Sequence, residues 1–329
     1  MSSQPRILIV GNAGQVGVEL QRSFAGFGEI IGVDRESVDL ADEKQVRALV
    51  RHVEPAIILN AAAYTAVDRA ESELELAHAI NAEAPRILAE EALQTDALLV
   101  HYSTDYVFDG TKASAYVVSD PVAPTGVYGA SKLAGETAVL ASGAKAIVLR
   151  TAWVYAPRGK NFVLTMLNVG RTRDRLTVVA DQEGCPTSAE DLADVILAIA
   201  DRIARTGWED RFGGVFHAAG TGGTSWHGLA CAVFDAAGRL GMKVPEVAPI
   251  ATADWPTPAK RPANSRLDCG RLATVFGLIL PHWRGSVERT VAAALAGWGL
   301  GAPFACCGGV GSMLSRPPVP RMGCDWGIV

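Results

Sequence analysis

What is scarce in this chain narrows its class before any motif is read. No apolar run reaches the roughly 18–20 residues that a bilayer-crossing helix needs, so no membrane partner is expected. Positive charge nowhere forms a run. The 30 lysines and arginines are scattered among 35 acids for a net charge of −5, which offers no basic field to DNA or RNA. Six cysteines include no C-x-x-C pair and no nearby histidine ladder, so reduced thiols are expected, with neither a disulfide framework nor a zinc site. The opening residues, Met1-Ser2-Ser3-Gln4-Pro5, are too short and polar for a signal peptide, and a cytoplasmic location is expected.

What is present is an ordinary globular composition, 49% apolar and 20% charged, long enough at 329 residues for a core domain with a smaller lobe. Arg6-Ile7-Leu8-Ile9-Val10 is apolar without alternation, as in a buried parallel strand. Gly11-Asn12-Ala13-Gly14-Gln15-Val16-Gly17 follows at once and runs into a helix-forming stretch. Strand, glycine triplet and helix in that order form a dinucleotide site, with the pyrophosphate on the helix N-terminus. The spacing is G-x-x-G-x-x-G, and Gly11, Asn12, Gly14, Gln15 and Val16 are its cofactor candidates.

A second strand, Glu29 to Asp34, ends in Asp34-Arg35. An acid there bonds ribose hydroxyls and an arginine accepts a 2′-phosphate, so both NADH and NADPH stay open. Asp39-Leu40 is positioned to flank the adenine, and a helix is expected from Glu43 to His52. The third strand ends at Asn60, and the small residues Ala61-Ala62-Ala63 before Tyr64 let a flat cofactor lie on the backbone. A long helical region spans Glu71 to Thr95, with Pro85 interrupting it and Asn81 read either as a surface amide or as an anchor for a water near the lysine.

The reacting groups are expected between Leu98 and Glu136. A strand, Leu98-Leu99-Val100-His101-Tyr102, ends in the hydroxyls Ser103 and Thr104, candidates to hold a carbonyl oxygen. Tyr128 and Lys132 stand four residues apart, stacked on one helix face. An ammonium beside a phenol lowers its pKa from near 10 and suits it to proton exchange. The spacing alone is common on helices. The upstream dinucleotide site is what makes it informative.

Further on, Ala144 to Arg150 is a strand, and Trp153, just past its end, is read either as a packing residue or as an aromatic wall for a sugar. Alternating strands and helices predict an α/β fold, a Rossmann-type doubly wound parallel sheet. The expected organisation is a nicotinamide-binding domain over 1–160, a mainly substrate-binding α/β lobe over 161–298, and a loosely ordered extension over 299–329. Core elements are expected to return from the C-terminal half. In that half Ser188 is expected to cap a helix from Ala189 to Ile203, Ser225 to open the next, and Ser286 to Leu295 to be the final regular element. His217 and His227 are read as structural, and the basic loop Lys260 to Ser265 as a pyrophosphate contact.

Several segments together resemble the extended short-chain dehydrogenase/reductase superfamily, and within it the dTDP-4-dehydrorhamnose reductase family, over about residues 5–298. They are the glycine segment, NAAAYTAVDRAE from Asn60, STDYVFDG from Ser103, YGASK from Tyr128, RTAWVY from Arg150, DQEGCPT from Asp181 and RPANSRL from Arg261. The resemblance implies reduction of the C4 keto group of dTDP-4-dehydro-6-deoxy-L-mannose to dTDP-L-rhamnose by NADPH or NADH. It implies Tyr128 as proton donor, Lys132 holding the nicotinamide ribose, and Thr104 bonding the reacting oxygen. Asp105 and Trp153 would contact the deoxysugar, and Arg261 the pyrophosphate. Some members hold Mg²⁺ at a dimer contact, through acids that Glu190 and Asp191 match, with a further glutamate where this chain has Gln15. Losing one carboxylate weakens a hard-cation site. No metal ligand is therefore assigned, with Mg²⁺ and a homodimer as the alternative.

Two other readings remain open on sequence. One is a nucleotide-sugar epimerase or another reductase of the superfamily; a 4,6-dehydratase would carry an acid after Thr-Asp, where this chain has Tyr106. The other is a non-catalytic subunit related to the regulatory subunit of methionine adenosyltransferase.

Overall fold

The computed structural model describes residues 4–298; the extension expected over 299–329 lies outside the described residues. The chain opens with β1 (Arg6–Val10), α1 (Gln15–Phe24), β2 (Glu29–Val33), α2 (Glu43–Val53) and β3 (Ile57–Asn60). Next come α3 (Val67–Ala70), α4 (Leu74–His78), α5 (Ala84–Thr95), β4 (Leu98–Thr104), α6 (Val127–Ala141) and β5 (Lys145–Thr151). Then follow β6 (Val154–Tyr155), α7 (Phe162–Gly170), β7 (Arg175–Val179), β8 (Glu183–Gly184), β9 (Thr187–Ser188), α8 (Ala189–Thr206) and β10 (Gly214–His217). The last elements are β11 (Thr224–Ser225), α9 (Trp226–Arg239), β12 (Glu246–Ile250), β13 (Asn264–Ser265), α10 (Gly270–Phe276) and α11 (Trp283–Gly297).

Six strands form one parallel sheet in the order β10-β5-β4-β3-β1-β2. The strands are apolar on both faces because both faces are covered. Ile7 and Ile9 of β1 join Leu20 and Phe24 of α1 and Leu192 and Ile196 of α8 on one side. Leu8 and Val10, the intervening residues, join Val46 and Val50 of α2 and Leu88 of α5 on the other. Truncating such a fully buried leucine to alanine costs about 2–5 kcal/mol. β2 lies on one side of β1 and β3 on the other, so the chain reverses direction there and leaves a crevice at the carboxyl ends.

α8, β10 and α10 return to this sheet, while α7, α9, α11 and the short strands share a separate apolar core. Asp42, Asn161 and Ser225 cap α2, α7 and α9 through their side chains. Ser188 precedes α8 as expected but makes no side-chain cap, so its contribution is positional.

The helical region before β4 departs from expectation at Asn81 and at Pro85. It is broken by a π-turn over Ala79–Glu83, and Asn81 on that turn is wholly buried, not a surface amide. Its Oδ1 accepts from the Tyr64 N–H at 2.8 Å, and its Nδ2 donates to the Tyr64 carbonyl and to Ser131 Oγ, both at 3.0 Å. Pro85 does not interrupt the helix. It sits in the first turn of α5, where a missing N–H costs nothing.

Candidate active site

The crevice between β1 and β3 is a cavity of about 940 Å³ whose lining runs from Gly11 through Asp34 and Ala62 to Tyr102. Its floor requires glycine. Gly11 has φ +85°, and a Cβ there would lie 2.8 Å from the Ala62 backbone. A Cβ at Gly17 would lie 2.1 Å from the Gly11 carbonyl, so α1 can start this close to β1 only without one. Gly14, Gln15 and Val16 bring the start of α1 to the cavity, and no acid in its first turn opposes an incoming phosphate. Asn12 packs against Gly32 beneath the turn, its buried Oδ1 without a partner.

Asp34, Arg35, Asp39 and Leu40 line one end of the groove. The Asp34 carboxylate accepts from the Glu36 N–H at 3.0 Å and from Ser37 Oγ at 3.3 Å, while Arg35 forms no ion pair among the described residues. Ala62, Ala63 and Tyr64 line the middle. A cavity of this shape, floored by glycine and faced by a helix N-terminus, fits a dinucleotide.

α6 supplies the next groups. Tyr128 and Lys132 lie one turn apart, and both are 1% exposed. Lys132 Nζ donates to the Tyr102 carbonyl at 2.6 Å, and Tyr102 itself lines the groove. The Tyr106 ring meets the Tyr128 ring edge-on at 5.4 Å. The Tyr128 hydroxyl and Asp105 Oδ2 are buried and make no hydrogen bond of good geometry in the protein, although Thr104 acts on the first and Ser265 on the Asp105 carboxyl. Thr104 Oγ1 donates to Asp105 Oδ1 at 3.0 Å.

Electrostatics here reverse one expectation. Burial pushes the Tyr128 phenol well above its ordinary value; nearby Thr104 moderates the rise, and Asp105 adds to it. Lys132 does not offset this burial, because its ammonium is turned to the Tyr102 carbonyl. Burial also lowers Lys132 to about 8, against an opposing pull from Glu136, and raises Asp105 to about 6. The phenol is therefore protonated at neutral pH.

Other expected residues lie elsewhere. Ser103 donates to Glu136 Oε1 at 2.5 Å, about two turns along α6 from Tyr128, so its hydroxyl is engaged there. Trp153, like Tyr128, Lys132, Thr104 and Asp105, is not part of the groove lining. It is 4% exposed, holds φ +51°, and stacks on Trp226 at 3.5 Å with Gly184 closing against it. Arg261 presents no unpaired cation: its Nη2 bonds Asp68 Oδ2 at 2.8 Å, with both side chains nearly buried.

The residues considered for Mg²⁺ do not form a hard-cation set. Gln15 Oε1 accepts from Asn161 Nδ2 at 2.7 Å. Asp191 is bound by Arg289 at 2.6 Å and by Ser286, and Glu190 lies 3.8 Å from Arg22 and 3.7 Å from Arg289. Two arginines already supply the charge that a cation would supply. Among the described residues no group of three His, Cys, Asp or Glu side chains is arranged to hold a metal, and no helix is long and apolar enough to cross a membrane.

The site also includes residues the sequence reading passed over. Lys160 lines the groove from the loop before α7, and His101 lies beside Lys132 with its ring Nε2 3.5 Å from Nζ. A histidine inside the apolar run Leu98–Val100 was the available signal for the second. Nothing local marked the first.

Residues 5–296 match the family described as the RmlD substrate binding domain. The dTDP-4-dehydrorhamnose reductase of Burkholderia thailandensis is 44% identical over 291 residues, 87% of this chain and 98% of that protein. That of Salmonella typhimurium is 45% identical over 289 residues, 86% and 96% of the two chains. Among solved structures, a dTDP-4-dehydrorhamnose reductase from Clostridium acetobutylicum aligns with TM-score 0.81 at 38% identity, covering 87% of this chain and 98% of that one. The Bacillus anthracis enzyme, solved in complex with NADP, aligns with TM-score 0.81 at 36% identity, covering 88% and 99%. The glycine-floored groove, the buried Tyr128–Lys132 pair and these likenesses over nearly the whole described body agree: the chain belongs to the dTDP-4-dehydrorhamnose reductase family of nicotinamide-dependent oxidoreductases.

Proposed function

We propose that this protein reduces the C4 keto group of dTDP-4-dehydro-6-deoxy-L-mannose to give dTDP-L-rhamnose, with Tyr128 as the proton donor. The observation that carries this reading is the buried Tyr128–Lys132 pair on one face of α6, with Lys132 Nζ bonded to the carbonyl of the groove residue Tyr102. When bound, NAD(P)H supplies the hydride to the sugar carbon. Gly11, Asn12, Gly14, Gln15 and Val16 would hold its pyrophosphate, Asp34, Arg35, Asp39 and Leu40 its adenosine, and Ala62, Ala63 and Tyr64 its flat middle.

Reduction in this direction needs an acid, and a phenol held protonated by burial is one. Tyr128 gives its proton to the C4 oxygen as negative charge develops there. Thr104 Oγ1 bonds the same oxygen, and Asp105 accepts from a sugar hydroxyl. Lys132, one turn along α6, holds the nicotinamide ribose. With the Asp34 carboxylate bonded into its own turn and Arg35 unpaired, the groove favours the 2′-phosphate of NADPH.

The test is substrate-dependent oxidation of NADPH with dTDP-4-dehydro-6-deoxy-L-mannose. Turnover to dTDP-L-rhamnose is expected, with Tyr128→Phe lowering kcat by on the order of 10²–10⁴. An unchanged rate in Tyr128→Phe would remove the proton-donor assignment.

A further inference from the structure

His101 is wholly buried in the middle of β4, opposite Asn60 of β3 in the strand register. A buried imidazole in an otherwise apolar strand needs partners for both ring nitrogens. Asn60 Nδ2 lies 3.0 Å from Nδ1, and Lys132 Nζ lies 3.5 Å from Nε2.

The orientation of the Asn60 amide decides which ring nitrogen carries the proton. Asn60 Oδ1 accepts from the Ala62 N–H at 3.3 Å, which turns the amide NH₂ toward the ring. A donor facing Nδ1 requires a lone pair there, so the proton of the neutral ring sits on Nε2. The ring is neutral, since burial first and the Lys132 charge second hold its pKa far below the usual histidine range. An N–H therefore points at Lys132. An ammonium cannot donate to it, and directs its own proton to the Tyr102 carbonyl instead.

We propose that His101, locked by Asn60 as its Nε2–H tautomer, is a positioning residue that sets how readily Lys132 gives up its proton. The N–H dipole opposes the ammonium and suits the neutral amine, which could accept from it. The charged groups around Lys132 are few. Glu136 acts on it from the next turn of α6 but is itself held by Arg150 of β5 and Ser103 of β4. Asp105, on the turn after β4, acts on Tyr128. The π-turn beside α6 contributes the neutral Asn81, bonded to Ser131. His101 is the one polar side chain from the sheet among the described contacts of Nζ.

Reversing the tautomer tests this. In Asn60→Asp a carboxylate at Nδ1 demands a proton there and leaves the Nε2 lone pair facing Lys132. Long-range ¹H–¹⁵N spectra of the cofactor-free protein report the tautomer directly, and ¹³Cε-lysine signals report the Lys132 titration. The wild type is expected to show Nε2–H, with Lys132 titrating near 8. Asn60→Asp is expected to show Nδ1–H, with the Lys132 midpoint raised by about one unit and the pH profile of kcat shifted the same way. His101→Met, of similar size and without the N–H, is the second variant should the aspartate prevent folding, and it too is expected to raise the midpoint. An Nδ1–H wild type, or a midpoint unmoved by either variant, overturns the inference. Only the kinetic arm rests on the reductase reading. A moved midpoint with an unmoved kcat profile would count against that reading and leave the tautomer control standing.

Discussion

Two buried polar clusters lie side by side on α6 and β4, and they are built on opposite plans. In the first, Glu136 takes two bonds from Arg150 Nε at 2.9 and 3.2 Å, one from Nη2 at 2.6 Å and one from Ser103 Oγ. Arg150 also rests on the Phe108 ring at 5.1 Å. Apart from Arg150 Nη1, every member is partnered. In the second, about two turns back along α6, the Tyr128 hydroxyl and Asp105 Oδ2 make no hydrogen bond of good geometry. Satisfied polar groups below the sheet edge hold α6 to the strands. Those at Tyr128 and Asp105 are the ones the proposed reaction would use. The two clusters share the same helix and strand, so the difference lies in the partners and not in the scaffold.

That contrast yields unequal responses to substitution. The largest is expected for Tyr128→Phe. It should reduce NADPH-dependent turnover by on the order of 10²–10⁴ while leaving the unfolding midpoint in urea nearly unchanged, because the hydroxyl removed has no hydrogen bond of good geometry to lose. Glu136→Ala should do the reverse. It strands a buried guanidinium and is expected to cost about 3–5 kcal/mol in urea unfolding. Equal stability losses in the two variants would erase the distinction between the clusters.

Asp105 gives a pH-dependent version. Burial raises its folded-state pKa from 3.8 to about 6, so the folded state binds the proton more tightly than the unfolded state. That advantage is complete below the unfolded value and is lost as pH rises through about 6. At neutral pH the ionised carboxylate is therefore a net burden, of up to about 2–3 kcal/mol. Asp105→Asn is expected to gain stability relative to the wild type as pH is raised from about 4 to 8, read as a growing difference in Tm. A difference that does not change with pH would show that Asp105 is not held this way. The smallest effect is expected at the open end of the groove, where an exposed cation acts through solvent. Arg35→Ala should raise KM for NADPH several-fold, about 1 kcal/mol, and leave KM for NADH unchanged in steady-state assays.

Much of this was legible in the residues. β1, the glycine turn and α1 were readable because an unbroken apolar strand followed by glycines at fixed steps admits few other foldings. The placing of Tyr128 and Lys132 on one face followed from helical periodicity alone. The pairing of Arg261 was not legible, because a basic loop looks available until its partner is known, and Asp68 lies 193 positions away. Trp153 was left between packing and walling a sugar for a similar reason: the other half of its stack, Trp226, arrives on a different element. Ser103 and Asn81 turned inward where local pattern favoured a site role and a surface role.

The order of residues by itself determined the sheet, its direction reversal and the groove that follows from it, because periodicity and glycine placement are local properties of a chain. Only the tertiary structure decided which polar groups found partners. It left the Tyr128 phenol buried and protonated, turned Lys132 to a backbone carbonyl and aimed the His101 N–H at it. Desolvation and hydrogen-bond direction depend on what surrounds an atom in space, and for these side chains those surroundings come from distant segments of the sequence.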